Sequence, residues 1–97
     1  MARLEVMNPI AHAEDRSIPP APRQDDLAGK RIALYWNMKS GGDLALDRLE
    51  QLLKERFSGI RVSRYIGSVG FAMRHLTSED ADLIARECDV AVGTSAD

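Results

Sequence analysis

The chain is poor in the residues that most often announce a chemistry. It has one cysteine, Cys88, so no internal disulfide can form, and its thiol usage points to a reducing compartment. Its two histidines are His12 and His75. His12 has no second histidine or cysteine near it, and neither histidine stands where it would serve as base to a serine or threonine nucleophile. Aromatic residues make up 5% of the chain, and 13 basic residues are spread among 15 acidic ones. No basic stripe or aromatic platform results, which excludes a nucleic-acid surface. No apolar run approaches the ~20 residues of a membrane span. The N-terminus lacks the apolar core of a secretory signal, so the expected location is cytoplasmic.

What is present is ordinary for a globular chain: 44% apolar and 29% charged residues. The 97 residues allow one small domain. Residues 1–28 read as an extended N-terminal arm and residues 29–97 as an α/β half-domain. A core drawn from ~70 residues buries only about 60% of its unfolded surface, so a partner is expected. In the arm, Pro9, Pro19, Pro20 and Pro22 preclude a helix or a central strand. It is either a flexible tail or a segment that lies on a neighbouring chain through Val6, Met7 and Ile10.

The half-domain is organised around residues 29–43. Ile32 to Trp36 is a short apolar run with β-branched and aromatic members, as in a strand covered on both faces. A loop with Asn37, Met38, Lys39, Ser40 and two glycines follows, and Asp43 suits the N-cap of the next helix. Ala45, Leu46, Leu49, Leu52, Leu53 and Phe57 recur at helical spacing over residues 43–57. Glu50 and Lys54 stand four apart in the favourable order, and Gly59 suits the left-handed cap that ends the helix. Residues 60–66 alternate as a more exposed strand, near an edge. A short helical turn is expected at residues 71–76. Thr77 three before Asp80 is a capping sequence, with Leu76 as its staple, for a second helix over residues 78–88. Ala81, Ile84, Ala85 and Cys88 share its apolar face, which makes Cys88 structural. Residues 89–93 form a third strand. The order β-α-β-α-β with right-handed crossovers predicts a small three-layer, Rossmann-like or flavodoxin-like parallel sheet with the first strand in the middle.

In such a sheet the carboxyl ends of the first and third strands converge. That gathers Asn37, Lys39 and Ser40 with Thr94, Ser95 and Asp97, and His75 lies in a glycine-flanked loop that can cover them. Lys39 and Asn37 are the candidate catalytic residues; Ser40, Thr94, Ser95, Asp97 and His75 are candidates for substrate binding. Lys39 supplies a point charge for an anion or a carboxylate. The alternative is that Lys39 is solvated and Asn37 only supports the turn. Gly41-Gly42 has the spacing of neither a dinucleotide fingerprint nor a phosphate loop, so no nucleotide is expected. No metal ligands are assigned to this chain.

Three segments carry a family resemblance. Leu27-Ala28-Gly29-Lys30-Arg31-Ile32-Ala33-Leu34 with Asn37-Met38-Lys39 resembles the opening of the UGSC family of selenoproteins and their cysteine counterparts. Asp89-Val90-Ala91-Val92-Gly93-Thr94-Ser95-Ala96-Asp97 resembles the segment that leads into that family's signature, and Leu4-Glu5-Val6-Met7-Asn8-Pro9 resembles its start. The signature is selenocysteine or cysteine followed by Gly-Ser-Cys, a thiol or selenol pair, and it would begin at the position after Asp97. The resemblance therefore implies a scaffold whose reactive atoms lie elsewhere. The expectation is a split protein, in which a second chain bears the Cys-Gly-Ser-Cys-like segment and completes the sheet. This chain would be the N-terminal subunit of a heteromeric enzyme doing redox or metal-thiolate chemistry on a small molecule. The cofactor stays open, a metal held by the partner's cysteines being one option. The alternative is a non-catalytic scaffold or binding subunit.

Overall fold

The computed structural model describes residues 3–11, 13, 17–67 and 76–94. Five elements follow one another: β1 (Arg31–Trp36), α1 (Gly42–Arg56), β2 (Arg61–Tyr65), α2 (Ser78–Glu87) and β3 (Val90–Thr94). The three strands form one parallel sheet in the order β2-β1-β3. The α/β class, the parallel pairing and the central first strand are as the sequence predicts. The helical turn expected at residues 71–76 lies outside the described residues but for Leu76, which is in neither helix nor strand.

Alternate residues of β1 serve opposite faces, as a strand's period of two requires. Ile32 and Leu34 join Leu46 of α1 in one buried cluster, with Trp36, Leu49, Leu53, Ile60, Val62 and Val92 packed around it. Ala33 joins Ile84 and Cys88 at the α2 side, with Tyr35 and Tyr65 beside them. The expected strand covered on both faces is therefore β1: Ile32, Ala33 and Leu34 are at most 1% exposed.

The helix ends obey local chemistry. Thr77 Oγ1 accepts from the Asp80 amide at 3.1 Å, and Asp80 Oδ2 accepts from the Thr77 amide at 3.4 Å, completing the capping box. At α1 the structure corrects the expected start. The N-cap is Gly41 in the left-handed region, φ 94°, with no side-chain cap, and Asp43 sits inside the first turn. There its carboxylate favours the helix dipole. Gly59 takes φ 72° just past the end of α1. Arg64 of β2 reaches back to α1, to Asp47 Oδ1 at 2.8 Å and Glu50 Oε1 at 3.2 Å, while Lys54 Nζ lies 3.1 Å from Glu50 Oε2.

The described residues of the arm carry no helix or strand, and Leu4, Val6, Met7 and Ile10 are 74–94% exposed. The radius of gyration is 19.6 Å, against about 12–13 Å for a compact chain of this length. The arm, not the core, sets that dimension. No helix among the described residues is long and apolar enough to cross a membrane.

Candidate functional site

The carboxyl ends of β1 and β3 finish level, with Trp36 paired to Thr94. The loop between β1 and α1 then turns through two left-handed residues, Met38 at φ 67° and Gly41 at φ 94°. Met38 is the unusual one, since a side chain at Cβ disfavours that region. Neighbouring hydrogen bonds hold it there. Asn37 Oδ1 accepts from the Lys39 amide at 3.2 Å, a turn that Asn side chains favour. The Lys39 carbonyl accepts from Trp36 Nε1 at 2.7 Å and from the Gly42 amide at 3.2 Å. The backbone of Lys39 is thus fixed on both sides.

Gly42 explains why the loop sits so close to the sheet. A Cβ there would fall 2.8 Å from Trp36 Cδ1 and 3.0 Å from Thr94 Oγ1. Only glycine lets the first turn of α1 press against both strand ends. Thr94 Oγ1 in turn donates to the Tyr35 carbonyl at 3.5 Å. A lysine on a held backbone, a hydroxyl and a helix N-terminus therefore share one end of the sheet.

Of the residues expected at the site, the structure puts Asn37, Lys39 and Thr94 at this end, half-buried, and Ser40 exposed on the same loop. His75, Ser95 and Asp97 lie outside the described residues. Sequence reasoning missed Trp36 and Gly42, which position the loop. The signal available was an aromatic residue at a strand end, six before a glycine that opens a helix. Among the described residues no three His, Cys, Asp or Glu side chains cluster as a metal site would require.

The amino-terminal end of the sheet is built differently. Arg31 forms a two-pronged pair with Asp89: Nε to Oδ2 at 3.2 Å and Nη2 to Oδ1 at 3.0 Å, with the Arg31 amide adding a bond to Oδ2 at 2.9 Å. The Arg31 side-chain and backbone bonds hold the Asp89 carboxyl down at about 2. Cys88 is 7% exposed, its Sγ 3.4 Å from the Tyr65 hydroxyl, which donates to Glu87 Oε2 at 2.7 Å. The bonds to Cys88 and Glu87 push the Tyr65 hydroxyl well above its ordinary range. Cys88 is accordingly buried and structural, at the end of the sheet away from Lys39.

The fold defines the class: a small three-stranded parallel α/β sheet with two helices. Residues 5–97 match the family model of the UGSC family, and the chain belongs to that family. No curated protein and no solved structure matches it.

Proposed function

We propose that this chain is the N-terminal, site-positioning part of a thiol- or selenol-dependent enzyme. The reactive cysteines belong to a Cys-Gly-Ser-Cys-like segment on a partner chain, in a cytoplasmic setting. Lys39 holds the attacking sulfur as a thiolate by its charge, and Asn37 keeps the Lys39 backbone in place. Ser40 and Thr94, at the same strand ends, serve the small-molecule side. A metal, if the enzyme uses one, is bound by the partner's cysteines. The strand order 2-1-3 agrees with the first half of a flavodoxin-like sheet, and the partner supplies the remaining strands.

One observation carries this reading. Lys39 is fixed by bonds to its carbonyl and its amide at the carboxyl ends of β1 and β3, where open α/β sheets bind their ligands.

The test is the alkylation rate of the partner's cysteines in the assembled complex, followed across pH. Lys39→Ala should raise the apparent thiol pKa and slow alkylation at neutral pH at least ~10-fold, about 1.4 kcal/mol. Lys39→Arg should restore it in part, because its charge is delocalised over a larger planar group. Lys54→Ala, whose ammonium lies on the outer surface of α1, should change nothing. An unchanged pH profile in Lys39→Ala with the complex intact would favour the second reading, a scaffold subunit. That reading has its own support in the exposed apolar arm.

A further inference from the structure

The loop from Asn37 to Gly41 is strung between two fixed points. At one, Trp36 is paired with Thr94 in the sheet. At the other, Gly42 opens α1 pressed so close to Trp36 and Thr94 that a Cβ would have no room. Between these points stand the loop's two left-handed residues, and they are not equivalent. Gly41 takes φ 94° without a steric cost, and a Cβ built on it would meet nothing within 4 Å. Met38 holds φ 67° against its own Cβ. For a residue with a side chain that state is disfavoured by roughly 5–30-fold.

The bonds that oppose this strain converge on the next residue. Asn37 Oδ1 accepts from the Lys39 amide, and the Lys39 carbonyl accepts from the Gly42 amide and from Trp36 Nε1. The shortest of these, at 2.7 Å, comes from the indole, which belongs to the sheet and not to the loop. Once that bond opens, Met38 can return to negative φ, and Gly41, with open space around it, can absorb the turn as a hinge. The segment that swings is residues 37–40, and Lys39 goes with it. Neither β1 nor α1 has to move.

We infer that the loop between β1 and α1 is a strained latch, with Trp36 as its catch, Met38 as its loaded hinge and Gly41 as its free hinge. Closed, it holds Lys39 at the carboxyl ends of β1 and β3. Open, it carries Lys39 away from them and leaves the indole N–H to water. Trp36 is thereby a positioning residue that acts through the Lys39 backbone. Met38 sets the balance: a glycine there would close the loop without strain, whereas methionine keeps the closed form within reach of opening. This deepens the reading of Lys39 above, as the regulation of that site, and rests on it for what Lys39 meets.

The test is hydrogen exchange at the Trp36 indole, followed by NMR in the full chain. The chain has one tryptophan, so a single indole resonance reports the bond to the Lys39 carbonyl. The amides of Ile32 and Leu34, in the buried core, report global opening. Indole protection in the wild type should fall at least ~10-fold below theirs, the mark of a local opening. Met38→Gly should raise it about 5-fold with the core amides unmoved, because glycine removes the strain of the closed form. Met38→Ala keeps a Cβ at the same φ and should leave it nearly unchanged. Asn37→Ala should lower it about 5-fold, the range of one lost hydrogen bond. Wild-type indole protection equal to that of the core amides overturns the latch. So does an unmoved indole in Met38→Gly, or a rise in Met38→Ala as large as in Met38→Gly. If the latch fails while Lys39→Ala still alters the thiol pH profile, the Lys39 reading stands without it. If the latch works and that profile is unaltered, the loop moves but regulates no such site, and the inference is overturned with the reading it rests on.

Discussion

The two faces of the sheet are served by one strand, yet they are different constructions. The α1 face buries two large residues of β1, Ile32 and Leu34, against Leu46, and six further apolar side chains close around them. The α2 face buries only Ala33 of β1, against Ile84 and Cys88 with Tyr35 and Tyr65 half-buried beside them, and leaves Ala81, Ala85, Ala91 and Gly93 exposed. Large residues interlock and make many close contacts; small ones contribute less buried apolar volume. The first face therefore carries the larger share of the chain's own stability.

The largest test of this contrast is truncation. Leu46→Ala, at a position 0% exposed, should cost about 2–5 kcal/mol in urea unfolding, as buried leucines do. Ile84→Ala should cost the lower end of the same range, because an open groove beside it gives the site room to relax. Equal losses would break the contrast. Next in size is Gly42→Ala. Its Cβ must displace Trp36 or Thr94, an overpacking cost of about 1–3 kcal/mol, read as a lower melting temperature. No loss would mean that the first face yields at its end.

The smallest effect concerns how the open face is fastened. Arg31 ties β1 to Asp89, and its Nη1 also reaches the Arg86 carbonyl of α2 at 3.4 Å. The Asp89 carboxyl titrates near 2 when folded and near 3.8 when unfolded. Its folded value is depressed, so its contribution is full above about pH 4 and is lost as pH falls towards 2. Asp89→Asn should flatten the pH–stability curve in that window and leave its shape unchanged near neutrality. An unaltered acid limb would mean that the pair does not fasten α2.

Much of the scaffold was legible because each signal was local. The leucine spacing of α1, the Thr77–Asp80 box and the apolar run of β1 all depend on neighbours within four residues. The start of α1 was not, since the left-handed turns at Met38 and Gly41 move the cap two residues before Asp43. Nor was the Arg31–Asp89 pair, whose members are 58 positions apart and meet only when β3 pairs with β1. The apolar face of α2 was read correctly as a set. Periodicity marks Ala81 and Ala85 as small and inward, but it carries no information on whether anything covers them. At the candidate site, Asn37 and Lys39 stood out by type and place. The tie from Trp36 to the Lys39 carbonyl depends on a ring orientation that no residue pattern encodes.

Trp36 has a use beyond holding the loop. It is the chain's one tryptophan, and its indole nitrogen is bonded to Lys39 at the carboxyl end of the sheet. Selectively excited emission from this chain therefore comes from one known spot. A group bound at the strand ends would shift that emission, whereas a change confined to the α2 side, on the opposite face of β1, would leave it nearly unaltered. In any mixture whose other components lack tryptophan, the molecule is its own unlabelled optical probe of that end of the sheet.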